Sequence, residues 1–381
     1  MHLDLDAADS DAELTAEACV VGGGVAGITM ARRLLERGWS VVLLESGGLD
    51  YEPATAALNA GENIGEAYYD LEDARLRFFG GTTAIWGGRV AELDPVDLQR
   101  REWAPHTGWP LSWEDLETYY KPARRMFGIP ERAASADDLR AAGAAPPPLD
   151  PSRLELGVWS FDRKFNRFVF AECRDLISHP RCRIITHATV TEILLAEGGR
   201  TVEGLAVASL SGRRSTVKAR AYVLAAGGLE NPRLLLASRS VARDGVGNNH
   251  GQVGRYFMEH PHARGGRVQG TGVWSLLRTF GRSYRLGAQE LAGLIKPSAA
   301  LQAERGILNS SLTVAARQRP GAAEAWGMAT YNRIKHTVAP TRGGRAVWMA
   351  TKTAARWAQQ RIDPARPWVL HQLGLRVVAL V

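Results

Sequence analysis

Cysteine is scarce. Cys19, Cys173 and Cys182 are the only three in 381 residues, they form no Cys-x-x-Cys pair, and one is left over. That arithmetic argues against a disulfide framework. Cys19 lies inside an apolar run and reads as a small buried hydrophobe. No apolar run is long enough to cross a bilayer. Basic residues are missing from the N-terminus, which instead carries Asp4, Asp6, Asp9, Asp11, Glu13 and Glu17, the opposite of a secretory leader. A cytoplasmic location is the expectation, with carriage elsewhere by a partner subunit left open. There is no internal repeat. No nucleic-acid-binding motif accompanies the charge, so nucleic acid is not an expected partner.

The charge is unevenly placed. From Pro261 to Val381 there are 18 Lys and Arg against 4 Asp and Glu, although the whole chain is only +7. Such a basic third reads as a solvated face or a docking surface for an acidic partner. Within it, Arg345 to Arg361, with Trp348, Met349 and Trp357, fits either an interfacial amphipathic helix or an ordinary half-buried one. Membrane contact is not the expected reading.

What is present begins at Cys19. An apolar run meets Gly22-Gly23-Gly24-Val25-Ala26-Gly27, an alanine-rich amphipathic segment follows to Gly38, and Val41-Val42-Leu43-Leu44 ends on Glu45 and Ser46. In a strand–turn–helix–strand unit each glycine has its own task. Gly22 permits the tight turn, Gly24 admits a pyrophosphate to the backbone, and Gly27 lets helix and strand pack closely. The amides of the first helical turn and the helix dipole then favour phosphate. Glu45, 18 residues after Gly27, stands where a carboxylate accepts from ribose hydroxyls. FAD and NAD share this fingerprint.

Further segments separate the two. Arg75 to Gly88 reads Arg-Leu-Arg-Phe-Phe-Gly-Gly-Thr-Thr-Ala-Ile-Trp-Gly-Gly, and Tyr222 to Ser238 contains Ala225-Ala226-Gly227-Gly228-Leu229-Glu230-Asn231-Pro232. Gly108-Trp109-Pro110-Leu111 lies between them, and Val253 to Pro261 follows. In this order the segments resemble the glucose–methanol–choline (GMC) family of FAD-dependent alcohol oxidoreductases, from about Ala16 to His262 and more loosely beyond. The Phe-Gly-Gly-Thr-Thr and Trp-Gly-Gly pieces are most similar to branches acting on sugars and glycosides.

The resemblance implies an α/β fold: a Rossmann-like FAD-binding domain with an inserted, partly antiparallel substrate domain. It implies FAD as cofactor and a small alcohol or sugar as substrate, with the electron acceptor unassigned. Gly81, Thr82, Thr83, Trp86, Gly87 and Gly88 would run beside the flavin ring. Val190 would meet adenine. Ala225, Ala226 and Gly227 would lie near the adenosine half, or simply serve sheet-to-helix packing, with Asn231 as the helix N-cap and Pro232 as its first residue. Relatives that attach FAD covalently use a histidine just before the tryptophan. Ile85 stands there and has no nitrogen nucleophile, so the flavin is expected to be non-covalent.

In the family, hydride leaves a carbinol carbon for flavin N5 while a histidine near the C-terminus takes the hydroxyl proton. Here His371 is the last histidine, its surroundings do not match, and the sequence stops at Val381. A C-terminally truncated chain is therefore expected, and the catalytic residues are left unassigned. The outcomes that follow are an oxidoreductase completed elsewhere, for example by a second polypeptide, or a non-catalytic FAD-binding or interaction polypeptide. No second Gly-x-Gly-x-x-Gly unit supports an NAD(P)H-linked reductase. No metal is expected: His260-Pro261-His262 lacks further ligands nearby, and Gly270-Thr271-Gly272 reads as a β-turn.

By motif order the FAD-binding domain covers about 14–95 and 175–260, and substrate-domain portions cover 96–174 and 261–381. Ile184-Ile185 and Thr189 to Leu195 read as strands. Trp113 to Phe127 reads as a helix with Ser112 as N-cap and Gly128 past its end. Ala133 to Pro151, rich in alanine and proline, reads as a surface loop or linker.

Overall fold

The computed structural model describes residues 1–7, 13–66, 68, 70–164, 167–261, 263, 265–270, 272–317, 341–362 and 376–380. In chain order the strands are β1 (His2–Asp4), β2 (Glu13–Val21), β3 (Val41–Leu44), β4 (Arg89–Val90), β5 (Leu154–Phe161), β6 (Cys182–Thr186) and β7 (Thr189–Leu195). They continue with β8 (Val202–Ala208), β9 (Arg214–Leu224), β10 (Gly266–Arg267), β11 (Tyr284–Leu286), β12 (Gln289–Pro297), β13 (Thr313–Arg317) and β14 (Arg376–Leu380). The helices that matter below are α1 (Val25–Glu36), α2 (Trp113–Met126), α3 (Ala136–Ala141), α4 (Glu230–Ala237), α5 (Val273–Phe280) and α6 (Arg342–Ile362). The chain divides into two units. One comprises Met1–Trp86, Phe165–Glu259 and Arg333–Met349, the other Gly87–Lys164, His260–Asn332 and Ala350–Val381.

The first unit is built on a seven-stranded mixed sheet in the order β1-β6-β3-β2-β9-β8-β7. Pairing is parallel from β1 through β9 and antiparallel across β9-β8-β7. Ala18, Cys19, Val20 and Val21 are all buried, as are Val41 to Leu44. Continuous apolar runs of this kind belong to central strands covered on both faces. On α1 the buried residues are Gly27, Ile28, Ala31 and Leu35, one stripe of a 3.6-residue repeat. The core on one side of the sheet joins Cys19, Val21, Val42, Leu44, Val190, Leu205 and Leu234. Cys19 has the expected role: burial pushes its thiol up to about 12, so it stays a neutral thiol. All three cysteines are free and buried.

The second unit carries two antiparallel sheets, β11-β12-β5-β4 and β10-β14-β13. The expected helix is present as α2. Ser112 Oγ accepts from the Asp115 amide, Asp115 answers from the other side, and Gly128 follows with φ +66°. The stretch from Ala133 to Pro151 corrects the sequence expectation. It is not merely a linker: Ser135 and Asp138 form a capping box that starts α3, and Leu139 is fully buried against Tyr284 and Leu291. Arg132 pairs with Asp138 at 2.6 Å and holds its carboxyl well below the usual carboxylate range. Alanine and proline composition obscured one well-placed leucine.

Among the described residues no helix is long and apolar enough to cross a membrane. In the first turns of α6, Trp348 packs on Ile85 and Leu76, and Arg345 pairs with Asp50 at 2.9 Å. That part of α6 is therefore an ordinary half-buried helix. The side chain of Trp357, together with Thr271, His262 and His371, lies outside the described residues.

Leu139→Ala should cost about 2–5 kcal/mol of stability by chemical denaturation, as for other buried leucines. A loss within about 0.5 kcal/mol, typical of an exposed linker position, would show that α3 does not pack as described.

Candidate functional site: a glycine-lined dinucleotide cleft

At the C-terminal ends of β2, β3 and β9 three segments meet. After Val21 the chain turns on Gly22, whose φ of +108° suits glycine and whose N–H donates to the Leu44 carbonyl at 2.8 Å. A Cβ on Gly22 would stand 2.6 Å from the Ala225 carbonyl oxygen. A Cβ on Gly27 would collide with the carbonyl of Gly22 itself. Gly24 differs: it is the N-cap of α1, and nothing lies within 4 Å of where its Cβ would be. The first turn of α1, with Val25, Ala26 and Gly27, has no side-chain cap and no acidic residue. Its amides have no carbonyl partner inside the helix. An uncapped positive helix end beside open space fits an anionic phosphate.

Glu45 is buried at the end of β3. Its Oε2 accepts from the Gly23 amide at 2.8 Å and its Oε1 from the Gly47 amide at 2.9 Å. Burial pushes the carboxyl above the usual carboxylate range, while those amides and the Arg77 charge oppose the rise. The carboxylate thus braces the glycine turn from below, a task not foreseen from sequence. Each oxygen still has a lone pair for a hydroxyl donor.

Ser46 and Thr189 share a hydrogen bond of 2.6 Å between hydroxyls, which ties the segment after β3 to the first residue of β7, next to the buried Val190. Gly80 donates its N–H to the Gly23 carbonyl at 2.8 Å, and a Cβ on Gly81 would stand 3.6 Å from the Cα of Gly24. Thr82 Oγ1 accepts from the Leu76 amide at 3.1 Å, and Thr83 Oγ1 donates to the Gly80 carbonyl at 2.6 Å. Trp86 is half-buried at the end of this segment. Ala225 continues β9 by donating to the Val21 carbonyl at 2.8 Å, and Gly227 has φ +94° with nothing near its would-be Cβ. The glycine turn thus brings Gly22, Gly24, Glu45, Gly81, Ala225 and Ala226 together, and Ser46 meets Thr189 beside Val190. Gly87 and Gly88 fall in the second unit, where the Asp162 amide donates to the Gly88 carbonyl at 2.7 Å.

One local expectation is overturned. Asn231 is not an N-cap: α4 starts at Glu230 and its N-cap is Leu229. Asn231 instead accepts from the Ala226 amide at 2.9 Å and donates to the Leu224 carbonyl at 3.2 Å. Its amide satisfies both polarities of the strand end, which a capping oxygen alone does not do. Sequence reading also missed Arg77, Asn59, Glu230 and His187. The only signal for the ion cluster was Arg75 and Arg77 in alternation and Glu230 three residues before Arg233.

His187, with φ +52°, lies between β6 and β7, with Nδ1 2.8 Å from Asp4 and Nε2 2.8 Å from Glu52. Asp4, Asp6 and His187 lie close enough to suggest a metal group. Both ring nitrogens already face carboxylates, however, and the arrangement suits an imidazolium. Burial alone lowers its pKa, but the hydrogen bonds to Asp4 and Glu52 outweigh that and the net direction is up.

A profile of the family DAO, FAD dependent oxidoreductase, matches residues 17–244. The chain belongs to the FAD dependent oxidoreductase family. It is 28% identical over 294 residues to 6'''-hydroxyparomomycin C oxidase of Streptomyces lividus, covering 63% of this chain and 53% of the relative. It is 25% identical over 300 residues to 2-methyl-1,2-propanediol dehydrogenase of Mycolicibacterium austroafricanum, covering 63% and 54%. The chain thus spans about half the length of the curated relatives it matches. Pyridoxine 4-oxidase from Mesorbium loti superposes with a TM-score of 0.40 at 22% identity, covering 58% of this chain and 51% of that one. The family match and the mixed sheet with separate antiparallel sheets agree with the expected α/β, Rossmann-like FAD-binding fold.

The raised His187 pKa has a definite sign. Its contribution to stability is fully present below the unfolded value near 6.5 and is lost as pH rises through the higher folded value. His187→Gln should therefore lower the melting temperature more at pH 6 than at pH 9. Burial lowers the pKa of neighbouring His2, whose own titration is largely common to both proteins. Equal destabilisation at both pH values would remove the imidazolium from the account.

Proposed function

We propose that the chain is a GMC-type flavoprotein that holds FAD non-covalently, in an enzyme oxidising a CH–OH group of a sugar or glycoside. The observation that carries this reading is the meeting of four glycine-containing or polar segments around the open space at Gly24. In it, the amides of Val25, Ala26 and Gly27 take the pyrophosphate. Glu45 accepts from the ribose hydroxyls while keeping its two backbone donors. Ser46, Val190, Ala225, Ala226 and Gly227 bound the adenosine half. Gly81, Thr82, Thr83 and Trp86 serve the flavin ring, offering amides and hydroxyls to its polar edge. Bound FAD supplies a two-electron acceptor.

The substrate class draws support from the motif order between Arg75 and Gly88 and from relatives named for a hydroxyparomomycin and a diol. The second unit, with its antiparallel sheets, is assigned to the substrate in this reading. Ile85 is buried against Trp348 and does not serve as an attachment point, since it has no nucleophile.

Two measurements test the proposal. The chain should bind FAD in preference to NAD, and Gly24→Val should abolish that binding while leaving the melting temperature of the cofactor-free chain nearly unchanged. The valine fits where nothing lies within 4 Å but occupies the phosphate's space. Equal FAD retention by the two proteins would overturn the assignment of this edge. Acid or heat precipitation should release all flavin into solution, and yellow colour retained in the pellet would disprove the non-covalent attachment.

A further inference from the structure

Arg77 joins three segments of the first unit. Its Nε donates to Asn59 Oδ1 at 3.0 Å, its Nη1 donates to Ser46 Oγ at 2.9 Å, and its Nη2 faces Glu230 Oε1 at 3.2 Å. The side chains of Arg77 and Glu230 are only 9% and 7% exposed. Glu230 gathers two more arginines. Arg75 donates to its Oε1 at 2.6 Å, and Arg233 donates to its Oε2 at 2.7 Å from the solvent side. Asn59 closes the ring by donating to the Arg75 carbonyl at 3.1 Å.

A buried guanidinium hydrogen-bonded to Asn59 and Ser46 and ion-paired with Glu230 uses the planar fork that lysine lacks. The same charge acts on Glu45, whose other stabilising neighbours are the amides of Gly23, Ser46 and Gly47. Arg77 is also three residues before Gly80, whose amide is bonded to the Gly23 carbonyl at 2.8 Å. One side chain thus reaches the Ser46 hydroxyl after β3, the Asn59 amide oxygen and the buried acid of α4.

We propose that Arg77 is a positioning residue for the cofactor. Its fork fastens the segment carrying Gly81, Thr82 and Thr83 to the Ser46 end of the glycine turn. Glu230 balances the guanidinium charge, so that the cleft gains a fixed cation without an uncompensated buried one. The inference rests on the FAD reading above and adds to it a residue outside the glycine fingerprint.

The positioning role is tested by substitution in the full chain. FAD dissociation constants are measured by flavin fluorescence from pH 5.5 to 8.5 for wild type, Arg77→Lys and Arg77→Gln, alongside melting of each cofactor-free protein. Arg77→Gln should weaken FAD binding by about tenfold to a hundredfold, the range expected for losing a charge-assisted contact. The pH below which affinity falls should move upward, because a carboxyl without its neighbouring cation holds its proton to higher pH. Arg77→Lys should keep the wild-type pH midpoint but bind several-fold more weakly, since one ammonium cannot serve all three partners. A purely structural role would lower the melting temperature without moving the midpoint.

Arg77→Gln within twofold of wild type at every pH, or Arg77→Lys sharing the shifted midpoint of Arg77→Gln, would overturn the inference. If Arg77→Gln does not fold, Arg77→Lys decides: weaker binding at an unchanged midpoint supports the proposal, and unchanged affinity overturns it. A wild-type chain that binds neither FAD nor ADP overturns the flavoprotein reading itself. Tight wild-type binding with indifferent Arg77 variants overturns only the role given to Arg77.

Discussion

The Glu45 carboxylate, buried at the end of β3 and accepting from the amides of Gly23 and Gly47, is the constraint on which the glycine turn depends. Those bonds hold the glycine turn against the neighbouring strand. The turn in turn offers the Gly23 carbonyl to Gly80 and places Gly22 beneath the Ala225 carbonyl. A buried carboxylate without such donors would take up a proton and let the turn relax. An uncapped helix start is thus assembled beside a negative side chain whose oxygens accept from backbone N–H groups.

Compensation of buried charge recurs through the first unit. Glu230 is surrounded by Arg75, Arg77 and Arg233, which hold its carboxyl below the usual range although burial pulls the other way. His187 bridges Asp4 and Glu52 and so ties the edge strand β1 to the segment after β3. A buried ion pair is weak evidence for stability, but removing one partner is costly. These clusters therefore specify where loops sit more than how strongly the unit holds. The hydrophobic sheet core supplies the strength, from Cys19 and Val21 to Leu205 and Leu234.

Much of the first unit was legible in the chain because its signals are local. Strand, turn and helix around Gly22 to Gly27 follow from hydrophobic period and glycine position, and Glu45 follows from its distance to them. The helix after Ser112 announced itself through its cap. Ala133 to Pro151 was read as a linker because a capping box and one buried leucine are weak signals in an alanine-rich stretch. Asn231 looked like an N-cap because asparagine before proline usually is one. Only the strand end at Ala226 shows why its side chain turned the other way.

The sequence by itself determined the parallel α/β core, the glycine turn and the acid that closes it, since each depends on residues within one strand–helix–strand stretch. Tertiary structure decided what lies across from them. That Gly80 would bond to Gly23, that Arg77 would meet Glu230, and that His187 would stand between Asp4 and Glu52 are pairings separated by 57 to 183 residues. Nothing in the local period of the chain encodes such partners. They are selected when folding buries charged and polar groups together and each must find a counter-charge or a hydrogen bond among the neighbours the sheet order brings.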